Sequence, residues 1–310
     1  MNLNLGATST ISSNFLFFSK RYSQERSNHH QYRFRSRFVI KASLPDLLSC
    51  STISSLKPPL QQFLDFSNSH GGTFLQDAGA TALVSVGAYG LVRLFDALTE
   101  RNFIKQNLSR KVVHILSGLF FMLSWPIFST STEARYFAAF VPLLNCARLL
   151  IHGLELAPDE GLVKSVTREG NPKELLRGPL YYVLILISSA VLFWRESPIG
   201  VIALAMMCGG DGFADIIGRR FGSVKIPYNQ QKSLAGSVSM FLFGFLMAIL
   251  VLYYYSALGF FQLDWSSVAE RVALVALVAT IVESLSTTEV VDDNISVPLS
   301  SMLMAFMFFG

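Results

Sequence analysis

Asp211 and Asp215 stand four residues apart in "CGGDGFADIIGRRFG", residues 208–222, directly behind the apolar stretch "PIGVIALAMM". On a helix that spacing puts both carboxylates on one face. Two hard oxygen donors suit Mg2+, which keeps some of its waters and bridges to phosphate groups. Gly209, Gly210 and Gly212 flank the first aspartate, and backbone without Cβ atoms can bring its N–H groups close to phosphate oxygens. Arg219, Arg220, Lys225 and Lys232 follow. "KSLAGS" then supplies the Lys232 ammonium, the Ser233 hydroxyl and Gly236 just ahead of an apolar segment, where a helix N-terminus attracts anions. Taken together, these parts predict a magnesium-nucleotide or diphosphate site. Simpler accounts exist for single residues. Asp215 and Arg219 are also four apart and suit a helix ion pair. Glycines serve close packing in membrane helices, and basic loop residues set topology.

Further candidates lie elsewhere. Arg110, Lys111 and His114 share a helical face where another apolar run begins. They suit a phosphate clamp with His114 placed to take a proton from a hydroxyl, or two topology-setting cations beside an interfacial histidine. Glu174 and Arg177 precede "GPLYY" as a local cap, an ion pair or ligands. Asp292, Asp293 and Asn294 form an acidic turn that can cap the last helix or hold a metal. Glu283 sits inside an apolar run, where an ionisable group needs a partner or a site.

The elements that must position these residues are membrane helices. The 310-residue chain is 51% hydrophobic and only 15% charged, against about 25% charged in an ordinary soluble domain. Its mean hydropathy is +0.44. Apolar segments at 78–96, 112–129, 136–153, 178–194, 198–210, 236–261, 268–285 and 294–309 predict an all-α polytopic transmembrane bundle of about seven or eight helices. The fifth segment is expected to run on into the glycine-aspartate motif. Trp125, Trp194, Trp265 and "LYYYSALGFF" fall near segment ends, the depth that aromatic residues favour. A net charge of +4 without a basic patch excludes a nucleic-acid partner, and Cys50, Cys146 and Cys208 form neither a disulfide framework nor a zinc spacing.

Loop charges orient the bundle. Loops after odd-numbered segments carry Arg101, Lys105, Arg110 and Lys111, then Lys164, Arg168, Lys173 and Arg177, then Arg219, Arg220, Lys225 and Lys232. Loops on the other side carry Arg135, Arg195 and Arg271. Every cluster suited to chemistry falls on the basic side, so one polar site is expected at that rim. A carrier would instead place its polar groups at the midplane.

Residues 1–42 are rich in Ser and basic residues, with Glu25 as the one acidic residue, the composition of a plastid transit peptide. Residues 43–76 read as a linker, and 77–310 as the membrane-embedded domain.

"SRKVVHILSG", "KELLRGPLYYV", "CGGDGFADIIGRRFG", "IPYNQQKSLAGS" and "VESLSTTEVVDDNISVPL" occur in that order. This series resembles the plant phytol kinases of the polyprenol kinase family, with farnesol and dolichol kinases as relatives. The resemblance covers nearly everything after residue 75. One local departure is Ser286, where relatives are expected to have proline. The resemblance implies a chloroplast, envelope-membrane enzyme that phosphorylates phytol, with CTP or UTP as donor, in phytol salvage for tocopherol synthesis. Its expected partners are the isoprenoid alcohol, the nucleoside triphosphate and membrane lipid. In that reading Mg2+ is held by Asp211 and Asp215. Arg219, Lys225 and Lys232 neutralise charge, Arg110 or Lys111 grips a phosphate oxygen, and His114 or Asp215 takes the alcohol proton. A farnesol or geranylgeraniol kinase is an alternative. So is a CTP-using phosphatidate cytidylyltransferase, which needs the same ingredients but releases diphosphate. The oligomeric state is left open.

Overall fold

The computed structural model describes residues 57–310 except 158–159, 168–169 and 287–291, with side chains from residue 71 onward, Glu160, Lys164 and Ser165 aside. The leader, residues 43–56 and Arg168 lie outside the described residues, as does the side chain of Lys164.

The helices are α1 (Lys57–Glu100), α2 (Gln106–Ser124), α3 (Ala134–Gly153), the short α4 (Glu160–Val166), α5 (Gly178–Leu192), α6 (Pro198–Ala205), α7 (Gly212–Phe221), α8 (Leu234–Ala257), α9 (Trp265–Leu285) and α10 (Asp293–Phe309). An antiparallel hairpin of β1 (Lys225–Ile226) and β2 (Asn229–Ser233) connects α7 to α8. The chain is therefore an all-α polytopic bundle, as the apolar periodicity predicts. Among the described residues, five helical spans are long and apolar enough to cross a membrane. Residues 57–76, read from sequence as linker, are the helical start of α1. Pro58 and Pro59 fall in its first turn, where a missing N–H breaks no helical hydrogen bond.

Helix starts in the C-terminal half are written into the sequence. Ser197 accepts from the Ile199 N–H with Pro198 behind it, Ser233 from Gly236, Asp264 from Ser266 and Asp292 from Asn294. Each side-chain oxygen satisfies an amide that the helix itself leaves unpaired.

The glycine-aspartate motif does extend the fifth apolar segment. α6, a π-helical turn (Met206–Asp211) and α7 form one rod, Pro198–Phe221. Its most apolar window is 83% buried, against 11–39% for the other spans, so it is the central helix. α8 packs along it through small residues: a Cβ on Gly209 would lie 2.8 Å from Met247 Cβ, and one on Gly244 2.8 Å from Met206 Sδ. Close helix approach in a membrane depends on such gaps. On the outer side of α8, Leu242, Leu246, Leu250 and Tyr253 are exposed at helical spacing, the surface a lipid chain covers.

Trp125 and Trp194 are not at the bundle surface, as their place near segment ends suggests. They are 0% and 2% exposed and pack ring to ring at 5.1 Å. Beside them buried Arg195 donates to the carbonyls of Trp125 and Phe128, both at 2.9 Å, and of Ser129 at 2.5 Å. Buried Asp77 accepts from the Ser129 N–H at 2.6 Å and hydroxyl at 2.7 Å. The turn after α2 is thus pinned from both sides by opposite charges.

Candidate active site

Asp211 closes the π turn and is 4% exposed. A π turn shifts the i→i+4 ladder and is frequent at functional positions. Here the Met207 carbonyl faces α2, where His114 Nε2 lies 3.3 Å away. A carbonyl only accepts, so Nε2 carries the hydrogen. That nitrogen cannot take a proton from an alcohol. His114 lies outside the set of cavity-lining residues, and its ring packs on Tyr182 at 4.2 Å, whose hydroxyl donates to the His114 carbonyl at 2.9 Å. His114 thus braces the turn that presents Asp211, and its expected role as base gains no support from the cavity lining.

Lys111, one turn earlier on α2, places Nζ 3.1 Å from Asp211 Oδ2. The Lys111 motif and the glycine-aspartate motif, a hundred residues apart in sequence, thus meet directly. Arg110 lies outside the cavity lining.

Lys232, at the end of β2, lies between two further carboxylates: Nζ is 2.5 Å from Glu283 Oε1 and 2.7 Å from Asp293 Oδ2. Burial works against its ammonium, but Asp293 and Glu283 outweigh burial and hold its pKa above the ordinary lysine range. The hairpin is latched there by Asn229, whose Nδ2 donates to the Ser284 and Ser286 carbonyls at 3.0 and 3.1 Å. Those carbonyls end α9, so the asparagine also satisfies groups the helix leaves open. The Ser286 hydroxyl, where relatives are expected to have proline, rests against Asp293 and the Glu283 carbonyl.

One carboxylate oxygen from each of Asp211, Glu283 and Asp293 lies within 4.8 Å of the others. The expected metal pair, Asp211 and Asp215, is not what the fold assembles. Asp215 is turned to Arg219, with Nε 2.9 Å from Oδ1, the simpler i, i+4 pair. Asp211 is joined instead by Glu283 from the end of α9 and Asp293 from the start of α10. Asp292, its neighbour, is the helix cap, so the acidic turn divides the two roles the sequence allows.

A cavity of about 280 Å³ opens over this cluster, lined by Lys111, Asp211, Asp215, Gly218, Arg219, Lys225, Lys232, Ser233, Gly236, Glu283 and Asp293 among others. Arg219, Lys225, Ser233 and Gly236, expected from sequence at a phosphate site, line this cavity. Gly209, Gly210 and Gly212 do not: they are buried, and a Cβ on each would meet Met247, Met240 and Ile115 respectively. The expected phosphate cradle at these glycines is corrected to helix packing. Glu283, ionisable inside an apolar run, and Asp293, in an acidic turn, carry sequence signals that do not by themselves pair them with Asp211. Asn229 had only its place in the "IPYNQQKSLAGS" motif.

On the far side of the α7–α8 crossing lies an apolar groove of about 440 Å³, lined by Ile217, Phe221, Val224, Leu234, Val238 and Leu242 among others. Its wall is shared with the cavity. Ile217, Val224 and Leu234 line the groove, and their chain neighbours Gly218, Lys225 and Ser233 line the cavity. At the crossing a Cβ on Gly236 would lie 3.5 Å from Gly218 Cα, and one on either glycine 3.1 Å from Ser233 Oγ, so α7 and α8 approach closely there.

Fold and site together define a polytopic membrane protein with a cation- and phosphate-suited cavity where several loops and helix ends converge. The chain is 71% identical over 235 residues to probable phytol kinase 1, chloroplastic, of Glycine max, covering 76% of this chain and 78% of the relative. It is 64% identical over 238 residues to phytol kinase 1, chloroplastic, of Arabidopsis thaliana, covering 77% and 78%. It is 41% identical over 235 residues to farnesol kinase, chloroplastic, of Arabidopsis thaliana, covering 76% of each. No family model and no solved structure matches it. The chain belongs to the plant phytol kinase family.

Proposed function

We propose that this chain is a chloroplast membrane kinase, placed in the envelope, that transfers the terminal phosphoryl group of CTP to the hydroxyl of phytol. Its product would feed phytol salvage toward tocopherol synthesis. The observation that carries the reading is the shared wall: a charged cavity suited to a polyanion and an apolar groove suited to a hydrocarbon chain are lined by chain-neighbouring residues of α7, the hairpin and α8. An isoprenoid alcohol needs both, and a water-soluble acceptor needs only the first.

The donor set of Asp211, Glu283 and Asp293 fits Mg2+: all are hard oxygens, and Glu283 Oε2 is buried without a hydrogen-bond partner. When bound there, Mg2+ would supply neutralising charge for the donor phosphates. The remaining work falls to the chain. Arg219 and Lys225 at the rim, with Lys111 and Lys232 deeper, bind and orient the phosphates. The alcohol oxygen bonds to the terminal phosphorus as the bond to the bridging oxygen breaks, and CDP leaves. The proton goes to Asp215, which lines the cavity and is freed when Arg219 turns to phosphate.

The test is purified protein with CTP labelled at the terminal phosphate and phytol, geranylgeraniol or farnesol in turn. Label in the lipid phase supports the kinase. A parallel reaction supplied with phosphatidate covers the rival: label released as diphosphate, with a CDP-lipid formed there and no label in the alcohols, overturns the kinase in favour of a cytidylyltransferase. The farnesol kinase relative makes the shorter alcohol a second acceptor, and relative turnover on the three chains decides between them.

A further inference from the structure

Octahedral coordination at Mg–O distances of about 2.0–2.1 Å sets ligand oxygens about 3–4 Å apart. The three carboxylate oxygens of Asp211, Glu283 and Asp293, within 4.8 Å of one another, are close to that spacing. A cation already stands among them. Lys232 Nζ contacts two of the three carboxylates, at 2.5 and 2.7 Å, and Lys111 Nζ contacts the third at 3.1 Å. Lysine is suited to such temporary duty, because its ammonium is a point charge on a flexible four-carbon stem. Glu283 supplies the second sign: Oε2 is buried without a hydrogen-bond partner, although Oε1 is fully engaged by the lysine. An oxygen that the protein leaves unsatisfied beside its own ammonium is one kept for another ligand.

An ammonium and a divalent cation cannot share this space, since each repels the other and both require the same oxygens. Lys232 must therefore leave when metal enters, and it needs another anion to go to. Among the cavity-lining residues the remaining carboxylate, Asp215, is paired with Arg219. A polyphosphate is the anion that would release it.

We propose that Lys232 holds the divalent-cation site in the free protein and passes to a nucleotide phosphate as metal takes the carboxylates, so that metal and nucleotide load together. The exchange keeps the three carboxylates beside positive charge in both states and delivers the lysine to the phosphate that will be transferred. It rests on the nucleotide-using reading above, while Lys232's occupancy of the cation site rests on the geometry alone.

The probe is Mn2+, followed by the loss of its free-ion electron paramagnetic resonance signal and by equilibrium dialysis with full-length protein in detergent. Solution binding of Mn2+ by CTP is subtracted from a protein-free titration. Wild type should bind Mn2+ weakly alone and at least about tenfold more tightly with CTP, within the usual range of coupling between sites. Lys232→Met should bind Mn2+ at least about tenfold more tightly than wild type without nucleotide, and lose most of the gain from CTP. Wild-type Mn2+ affinity that CTP leaves unchanged overturns the coupling, and this arm decides the matter if Lys232→Met does not fold. Equal Mn2+ affinity of folded Lys232→Met and wild type overturns occupancy by the lysine. If no alcohol is phosphorylated yet Lys232→Met still gains Mn2+ affinity, the kinase reading falls and the occupied cation site stands.

Discussion

Asp211 and Asp215 are identical in type and four residues apart, yet the fold gives them different surroundings, and replacing each by Asn separates the roles. Asp211→Asn keeps the shape but leaves the Lys111 ammonium, whose side chain is 12% exposed, without its carboxylate. Breaking a buried pair from one side costs about 3–5 kcal/mol. The lower end applies here, because Lys111 lines the cavity and can turn into it. For a domain of this size about 3 kcal/mol lowers the melting temperature by roughly 6–12 °C. Asp215→Asn removes an i, i+4 pair whose arginine side chain is 49% exposed, worth only about 0.3–0.5 kcal/mol, so melting should move by about 2 °C or less. Its effect should be on turnover instead: loss of a proton acceptor lowers kcat by about 10²–10⁴, with the KM for nucleotide nearly unchanged. The assays are thermal unfolding followed by intrinsic tryptophan fluorescence and steady-state phosphoryl transfer on the same preparations. Equal destabilisation by both substitutions, or full turnover in Asp211→Asn, refutes the division of labour.

The apolar groove gives a selective handle: Leu242→Trp should raise the KM for phytol several-fold and leave the KM for CTP within about twofold, measured by varying each substrate separately. At the opposite end of the bundle, Arg195→Leu removes three bonds to carbonyls, and buried acceptors left unpaired cost about 1–3 kcal/mol each. Melting should fall by well over 5 °C while the KM for CTP in the surviving protein stays at the wild-type value. Lys232 has a raised folded pKa, so its stabilising share is complete below the ordinary lysine value of about 10.4. It is lost only as pH climbs through the higher folded value. The melting difference between wild type and Lys232→Met should therefore be constant from pH 7 to about 9.5.

The fold was legible because apolar periodicity and caps are local: Ser197, Ser233, Asp264 and Asp292 each mark a helix start that the structure uses. Loop charge also carried the meeting of Lys111, Asp211 and Lys232 at one rim. What failed was the partner list. Asp215 sits beside Asp211 in sequence, and spacing on an ideal helix favours pairing them. The π turn and the approach of α9 and α10 bring Glu283 and Asp293 instead, across separations of 72 and 82 residues that no local pattern encodes. The glycines misled for a related reason. A missing Cβ serves a ligand or a neighbouring helix equally well, and the tie is broken only by what lies opposite, here Met247, Met240 and Ile115.

Among the described residues buried charge occurs at two places, and the balance of charge tells the two apart. Asp77 has both carboxylate oxygens engaged, by the Ser129 amide, the Ser129 hydroxyl and the Ser131 hydroxyl. Its opposite number, Arg195, spends its terminal nitrogens on the three backbone carbonyls of the same turn. Its Nε lies 3.5 Å from Glu196 Oε1, and in apolar surroundings such pairing is what makes a charge tolerable. At the other cluster two lysines balance three carboxylates, leaving one negative charge over, an unpaired Glu283 oxygen and a long side chain as the central cation. That arrangement is stable enough to fold yet incomplete as it stands. Completing it takes more positive charge on the carboxylates and an anion for the displaced lysine, and the metal-bound triphosphate of the proposed reaction would bring both.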